Sequence, residues 1–261
     1  MSPIDLAEFE QAGFVRGPQL LDVAQLEQVR DAVARLLDAS SAGMDRLLMY
    51  RSSGAGADRQ VHVVGASLAE PAIAGLVRHP LLASWITRLL GCRQARFFRD
   101  QIFVKKPRSH GVVPWHQDYS DWTHTSPPTH ITCWIALDDA TPASGCLQYV
   151  RGRQIEVLPK ITREDTLESA LLRLPAEVRE NFAPEPVDVP AGGCVFHHCL
   201  TIHGSAANTS AHPRRAIALA FMHPETRAIA SRPVIPGGAA FPPGALIEGD
   251  LFPLIGDTHA S

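Results

Sequence analysis

The amino-acid sequence predicts a mainly β fold, a sandwich or barrel with helices packed against its outside. In the first 92 residues, apolar side chains recur at the spacing of one helical face. After Gly91 the apolar period changes to two, which is typical of half-buried strands. Turns rich in Pro and Gly separate these short strands, as they do in sandwiches and barrels.

Three helices are predicted in the N-terminal part. Residues 5–13, DLAEFEQAG, form a short helix that ends at Gly13. Asp22 is the predicted N-cap of a second helix, and a third helix covers residues 80–90 and ends at Gly91. The second helix has an apolar face made of Leu26, Val29, Val33, Leu36 and Leu37. The polar stretch 51–60, RSSGAGADRQ, is predicted to be a loop.

The period-two segments and the linkers between them predict one domain. The strands are expected at 96–104, 130–137, 145–150, 193–198 and 215–223. Residues 160–182 are a predicted helical insertion, and the tail from residue 231 is rich in Pro and Gly without a clear period. We find no internal repeat. The sequence therefore predicts a helical part (1–92), a strand-rich core (about 95–225) and a C-terminal tail (226–261).

Composition and charge argue against two classes of partner. A formal charge of −3 gives no basic footprint for nucleic acid and no polybasic membrane patch. No apolar run approaches the ~18 residues of a membrane span. The first twenty residues have acidic side chains where a secretory signal needs basic ones, and the five cysteines are scattered without a CxxC pair. We therefore expect a cytoplasmic protein with reduced cysteines.

Two segments carry candidate metal ligands. In 115-WHQDYSDW-122, His116 and Asp118 are two residues apart, so both point to one face if the backbone is extended. In the segment 190–216, His203 precedes Gly-Ser, and Arg214 follows eleven residues later. Two imidazoles and a carboxylate form the facial triad of non-haem Fe(II) oxygenases, which leaves positions open for a bidentate 2-oxo acid and O2. An arginine suits the distal carboxylate of such an acid.

Two alternatives remain open on the residues alone. An isolated His-x-Asp pair is often an ordinary hydrogen-bonded pair. The run 197-HHCLTIH-203 also admits a zinc-like site that uses Cys199.

The chain resembles the phytanoyl-CoA dioxygenase (PhyH-like) family of Fe(II)/2-oxoglutarate-dependent oxygenases. The matching pieces are 105-KKP-107, 114-PWHQD-118, Trp134, 145-GCL-147, 190-PAG-192, 203-HGSAANTS-210 and 214-RR-215. They cover roughly residues 95–225, the expected catalytic barrel. The resemblance implies a double-stranded β-helix (jelly-roll, cupin-like) core.

The resemblance also implies roles for particular residues. Iron would be bound by His116, Asp118 and His203. The distal carboxylate of 2-oxoglutarate would be bound by Arg214 and Ser205. Arg215 is the alternative anchor; strand alternation sends the two arginines to opposite faces, and the family spacing selects Arg214. The co-substrate pocket would be lined by Trp134 and, more weakly, by Thr132 and Gln101, for which core packing is the competing interpretation.

The activity implied is a hydroxylase that uses Fe(II), 2-oxoglutarate and O2 and releases succinate and CO2. Asp118 fills the position that related halogenases leave open for chloride, so hydroxylation is favoured. We expect a small organic substrate, an amino acid or specialised metabolite, and a monomer or homodimer that binds neither nucleic acid nor membrane. The pocket would have an aromatic rim of Tyr119 and Trp122, and Arg227 is a further candidate for substrate contact. The competing hypothesis is a non-catalytic cupin-like metal or ligand-binding module.

Overall fold

The computed structural model describes residues 5–38, 44–53, 60–152, 157–160 and 165–256. Its helices, in chain order, are α1 (Leu6–Ala12), α2 (Val23–Leu37), α3 (Ala66–Ala69), α4 (Pro71–Val77), α5 (Pro80–Leu90), α6 (Tyr119–Trp122), α7 (Leu167–Leu172) and α8 (Ala176–Glu180), with a 3₁₀ turn at Met44–Arg46. Its strands are β1 (Phe14–Arg16), β2 (Met49–Ser53), β3 (Gln60–Val64), β4 (Gln94–Lys105), β5 (Val113–His116), β6 (Thr125–Ser126), β7 (Ile131–Ala136), β8 (Leu147–Tyr149), β9 (Glu185–Pro186), β10 (Cys194–His198), β11 (His203–Ser205), β12 (Arg214–Met222), β13 (Arg227–Ala228) and β14 (Leu254–Gly256).

The N-terminal helices begin and end at the residues that the sequence predicts. The Asp5 carboxylate accepts a hydrogen bond from the third residue of α1, and Gly13 ends that helix with a left-handed φ of 84°. In α2, Asp22 and Gln25 form a reciprocal capping box. Gly91 ends α5, again with a left-handed φ of 66°. These three helix predictions are confirmed.

Two antiparallel sheets form the core. The larger has the strand order β1-β10-β7-β12-β4-β3-β2, with β14 also paired to β4, and the smaller has the order β5-β11-β8-β9. Their facing side chains meet: the Phe14 and Tyr149 rings stack with centroids 4.4 Å apart, and the His197 and His203 rings are 4.5 Å apart. This is the predicted jelly-roll core with flanking helices.

The large sheet has one apolar face and one face that opens into the space between the sheets. On β12, Ile217, Leu219 and Phe221 belong to the cluster that also contains the cores of α2, α4 and α5. The intervening residues on the opposite face are the buried alanines 216, 218 and 220. A methyl side chain projects little, so the middle of the inner face carries little protein volume.

Strand β4 follows the same alternation. Asp100, on the helix side, accepts hydrogen bonds from the backbone N–H groups of Gly65, Ala66 and Ser67 and from the Ser67 hydroxyl. This buried carboxylate therefore fixes the start of α3 against the sheet. The residues on the opposite, inner face of β4 are Arg99, Gln101, Phe103 and Lys105.

One predicted loop differs from the structure, and one further short strand was not predicted. Residues 51–53 and 60 are strand rather than loop, because β2 and β3 form an antiparallel pair at the edge of the large sheet; residues 54–59 lie outside the described part of the chain. The segment 123–130 contains the short strand β6, which pairs with β13. Strands β2 (MYRSS) and β6 (TS) lack the apolar alternation by which strands are recognised in a sequence. None of the helices in the described ranges is long and apolar enough to cross a bilayer.

Candidate active site

The three predicted metal ligands lie together between the two sheets. The β5–β11 register places His116 opposite His203, and their ring centroids are 4.2 Å apart. One ligand atom from each of His116, Asp118 and His203 lies within 4.8 Å of the other two. The cluster therefore forms because the antiparallel pairing of β5 and β11 brings together two histidines that are 87 positions apart in the chain.

Asp118 reaches the cluster by a turn, and the expectation of an extended backbone is wrong at this residue. Strand β5 ends at His116, and Asp118 has the helical angles φ −55° and ψ −40° as the N-cap of α6. The backbone N–H of Tyr119 donates to the carbonyl of Cys199, which holds the start of α6. The turn places the carboxylate beside both imidazoles.

Hydrogen bonds orient both imidazoles toward the centre of the cluster. The Nδ1 atom of His116 lies 2.8 Å from the Pro114 carbonyl oxygen, and that of His203 lies 3.0 Å from the Thr201 carbonyl oxygen. A carbonyl only accepts, so each Nδ1 carries the proton and each Nε2 is left with a lone pair. Each Nε2 is 3.9 Å from the Oδ1 atom of Asp118. This is the orientation that metal-binding histidines adopt.

The charge states also suit a cation. Burial lowers the pKa of His203 well below its usual range, which keeps the ring neutral. Burial by itself raises the pKa of Asp118, but the hydrogen bond from His197 and the neighbouring histidines outweigh it, and the pKa lies well below its usual value. An ionised Asp118 beside the neutral imidazole of His203 is the protonation state that a divalent metal needs.

The second oxygen of Asp118 is held by two donors. Its Oδ2 atom accepts from the Thr132 hydroxyl at 2.8 Å and from Nε2 of His197 at 3.1 Å. Because Nε2 of His197 faces a carboxylate, Nδ1 is the acceptor for the Tyr149 hydroxyl, 3.0 Å away. Thr132, predicted to line the co-substrate pocket, thus contacts the metal-site carboxylate in this structure. The zinc-like alternative loses support, because the Cys199 thiol points to the Pro128 carbonyl.

A second polar cluster lies at the other end of the inner face. Arg214 and Lys105 are paired across β12 and β4, and they are 2% and 3% exposed. The Ser205 hydroxyl lies 2.6 Å from Nζ of Lys105 and 3.3 Å from Nη2 of Arg214, and it donates to the Gly145 carbonyl at 2.8 Å. Neither basic side chain has an ion-pair partner within the described part of the chain, and the buried Nε of Arg214 has no hydrogen-bond partner. Such a site is built for an anion.

Burial lowers the pKa values of both basic groups. Burial, together with the nearby Arg214 charge, lowers the pKa of Lys105 to about 6. Burial lowers the pKa of Arg214 to about 10, so its guanidinium remains charged at neutral pH. A carboxylate bound between them would relieve both effects.

The structure separates the two adjacent arginines as the alternation predicts. Arg215 points to the other face of β12, where it binds the Asp138 carboxylate through two nitrogens at 2.8 and 2.7 Å. Trp134 lies on the inner face with its ring centroid 5.5 Å from Cζ of Arg214. Gln101 is also on that face, and its amide contacts His62 at 2.9 Å. Both Trp134 and Gln101 are paired with Ala218, in the middle of the inner face.

The predicted aromatic rim is wrong. Tyr119 is buried, with its hydroxyl bonded to the Thr125 carbonyl, and Trp122 is 1% exposed and packs edge-on against Phe98. Both rings fill a hydrophobic cluster because α6 turns them inward. Arg227 is exposed and donates to the Gly244 carbonyl at 2.7 Å. Direct contact of these three residues with substrate stays a prediction.

Sequence reasoning missed Lys105, His197 and Tyr149 as members of the site. The position of Lys105 could have been predicted, because it lies four residues after Gln101 and therefore on the same face of β4. His197 and Tyr149 act through the cross-sheet approach of β8 and β10, which the sequence does not show.

Comparisons with known proteins identify a family and its relatives. The family model described as "Phytanoyl-CoA dioxygenase (PhyH)" matches residues 9–216. A phytanoyl-CoA dioxygenase domain-containing protein 1 homolog of Caenorhabditis elegans is 28% identical over 146 residues, 52% of this chain and 50% of that protein. The match therefore spans about half the length of that relative. Methylphosphonate hydroxylase of Gimesia maris is 23% identical over 216 residues, 83% of this chain and 78% of that protein.

Solved structures share the fold along nearly the whole chain. The non-heme alpha ketoglutarate dependent epimerase SnoN from nogalamycin biosynthesis superposes with a TM-score of 0.77 at 25% identity, covering 95% of this chain and 96% of SnoN. The carbocyclase SnoK from the same biosynthesis gives a TM-score of 0.75 at 25% identity, with 96% and 95% coverage.

The substitution His197→Phe tests the support of Asp118. A phenyl ring fills a similar volume but cannot donate to Oδ2, so affinity for Co(II), used as an oxygen-stable probe, should fall roughly 10- to 100-fold. Titration followed by the visible Co(II) absorption measures this. The exposed His212→Phe is the matched control. Unchanged affinity in a folded His197→Phe protein would show that this hydrogen bond does not position the carboxylate.

Proposed function

The chain belongs to the phytanoyl-CoA dioxygenase family, and on that premise we propose that it is an Fe(II)/2-oxoglutarate-dependent dioxygenase that hydroxylates an unactivated carbon of a small organic substrate. One observation carries the proposal: the three metal-ligand atoms and the buried basic pair Arg214 and Lys105 line the space between the same two sheets. A metal-binding module has no need of the second, and a simple anion-binding protein has no need of the first.

In this proposal His116, Asp118 and His203 would hold Fe(II), because each offers one ligand atom to the same point between the sheets. Bound iron supplies the oxidising chemistry, in which O2, 2-oxoglutarate and a C–H bond yield succinate, CO2 and an alcohol. The protein contributes geometry. Thr132 and His197 fix Asp118, and the carbonyls of Pro114 and Thr201 fix the two imidazoles.

Arg214, Lys105 and Ser205 would hold the distal carboxylate of 2-oxoglutarate. Two basic groups and a hydroxyl converge there, and the unpartnered Nε of Arg214 gives the carboxylate a donor that no protein group uses. Trp134 would form the wall beside the co-substrate, since its ring stands next to Arg214 on the inner face. Ala216 and Ala218 leave room for the co-substrate chain.

The substrate class is proposed from the names of relatives and of similar solved structures. Three relatives are named for small molecules: methylphosphonate, 2-aminoethylphosphonate and ectoine. SnoN and SnoK serve the biosynthesis of a specialised metabolite. These support an amino acid or specialised metabolite as the substrate. Their different reactions show that the fold does not set the oxidative outcome.

Anaerobic titration with Fe(II) and 2-oxoglutarate tests the assignment against a non-catalytic module. The wild-type protein should develop the metal-to-ligand charge-transfer absorption of a chelated 2-oxo acid. His116→Ala, Asp118→Ala and His203→Ala should each lose this absorption and turnover while the circular dichroism spectrum stays native, because the cluster has no spare ligand. The exposed His212→Ala is the control. A triad variant that kept coupled succinate release would refute the assignment.

Arg214→Leu should weaken 2-oxoglutarate binding at least tenfold, about 1.4 kcal/mol or more, with little effect on metal affinity. Arg215→Leu removes the same charge from the opposite face of the strand and should change the dissociation constant much less. Equilibrium titration of the charge-transfer absorption gives both constants. A larger effect of Arg215→Leu than of Arg214→Leu would contradict the proposal, because the co-substrate would then bind on the other face of β12.

Binding of 2-oxoglutarate should be accompanied by proton uptake at Lys105. The pKa of Lys105 is about 6 in the ligand-free protein, and an adjacent carboxylate raises it. The apparent affinity should therefore fall as pH rises above 6, by up to about tenfold per pH unit, until the pKa of the bound state is passed. Calorimetry in two buffers of different protonation enthalpy counts the protons. Lys105→Met should abolish the uptake; an equal uptake in this variant would exclude Lys105 as the group.

A further inference from the structure

We propose that Arg99 binds an anionic group of the substrate, so that the substrate is a small organic anion carrying a carboxylate or a phosphonate. This inference rests on the proposed function, and it specifies the chemical class of the molecule that is oxidised.

Arg99 lies on the same face of the large sheet as Thr132, and a single alanine separates the two residues across the strands. It lies on the inner face of β4, where the register pairs it with Ala220 of β12, and Ala220 is paired in turn with Thr132 of β7. Thr132 donates to Asp118. Only a methyl side chain therefore stands in the row between Arg99 and the residue that holds the metal-site carboxylate. A long arginine side chain can extend over that alanine.

Among the described residues, the guanidinium of Arg99 has no acceptor or counterion. It makes no hydrogen bond or ion pair with any described residue, and its Nε atom is buried without an acceptor. Three carboxylates are near enough to influence its pKa, those of Asp118, Asp121 and Asp100. Each is already engaged: Asp118 by Thr132 and His197, Asp121 by Lys160 at 2.5 Å, and Asp100 by the start of α3.

The guanidinium of Arg99 lies over an aromatic ring, beside other buried polar atoms that have no hydrogen-bond partner. Its Cζ atom lies 4.8 Å from the centroid of the Trp122 ring, which holds the guanidinium plane by a cation–π contact. The buried Nε1 of Trp122 and Nδ1 of His130 also lack hydrogen-bond partners, and the two rings are 5.2 Å apart. His130 is neutral, because burial lowers its pKa to about 3. Unsatisfied buried polar groups gathered in one place mark a ligand site.

This receptor is separate from the co-substrate site. Arg99 and Lys105 are six residues apart on β4, about 20 Å along the strand. The amine of Lys105 is fixed at Ser205, and the guanidinium of Arg99 is fixed over Trp122. A five-carbon diacid bound at Lys105 and Arg214 therefore leaves Arg99 free for a second anion.

The test uses anaerobic protein saturated with Fe(II) and 2-oxoglutarate, so that the Lys105–Arg214 site is filled and no turnover is needed. Acetate, methylphosphonate and the neutral acetamide are titrated as probes, and binding is followed by calorimetry and by the shift of the charge-transfer absorption. We expect at least one of the two anions to bind the wild type and acetamide to bind more weakly. The tighter anion identifies the substrate group as carboxylate or phosphonate.

Arg99→Gln should weaken binding of that anion at least tenfold, whereas Arg99→Lys, which keeps the positive charge, should retain most of it. Arg88→Gln removes an equal charge from the exposed end of α5 and should bind as the wild type does. Equal affinity in the wild type and a folded Arg99→Gln, or no anion binding while the charge-transfer absorption forms, would overturn the inference. Absence of that absorption in the wild type would instead overturn the proposed function.

Discussion

The space between the two sheets contains buried charged groups that no charged side chain of the described residues neutralises. The apolar packing on the other face of the large sheet has to offset the cost of burying them. Placing a charge away from water is costly unless a partner compensates for it. Asp118 is compensated by hydrogen bonds from Thr132 and His197, whereas Arg214 and Arg99 have no carboxylate partner within the described ranges. Buried charged side chains of this kind are tolerated in a folded protein when a bound metal ion or anion pairs with them. The apolar side of the large sheet supplies the stability that tolerates this cost.

The alternation of strand side chains separates these two tasks. On β12 and β4, every second residue packs against the helices and the intervening residues face the interior. A single strand therefore contributes Leu219 to the core and Ala218 to the site. Asp100 shows the same logic on the outer face, because its carboxylate is used fully by the start of α3 and does not compete for Arg99.

The apolar period predicted a sandwich or barrel, the helix ends at Gly13 and Gly91, and the opposite orientations of Arg214 and Arg215, and the family resemblance implied the jelly-roll core. They were insufficient where the chain turns. Asp118 joins the cluster from a helical turn, and the same turn buries Trp122, which an extended segment would have left at the rim. The support of Asp118 by His197 depends on the approach of two strands in different sheets, and no local pattern encodes that distance.

The two proposed anion sites also suggest an order of events. The dianionic co-substrate has the most positive end of the interior available to it, at Arg214 and Lys105, and its binding compensates those groups. Arg99 then remains the uncompensated cation of the inner face, since Asp118, Asp121 and Asp100 are engaged elsewhere. An anionic substrate is consequently attracted to the end where Thr132 and Asp118 lie, and is kept from the co-substrate site once that site is filled. Charge placement alone would thus direct each acid to its own end of the interior, and a neutral molecule of the same shape would lack that guidance.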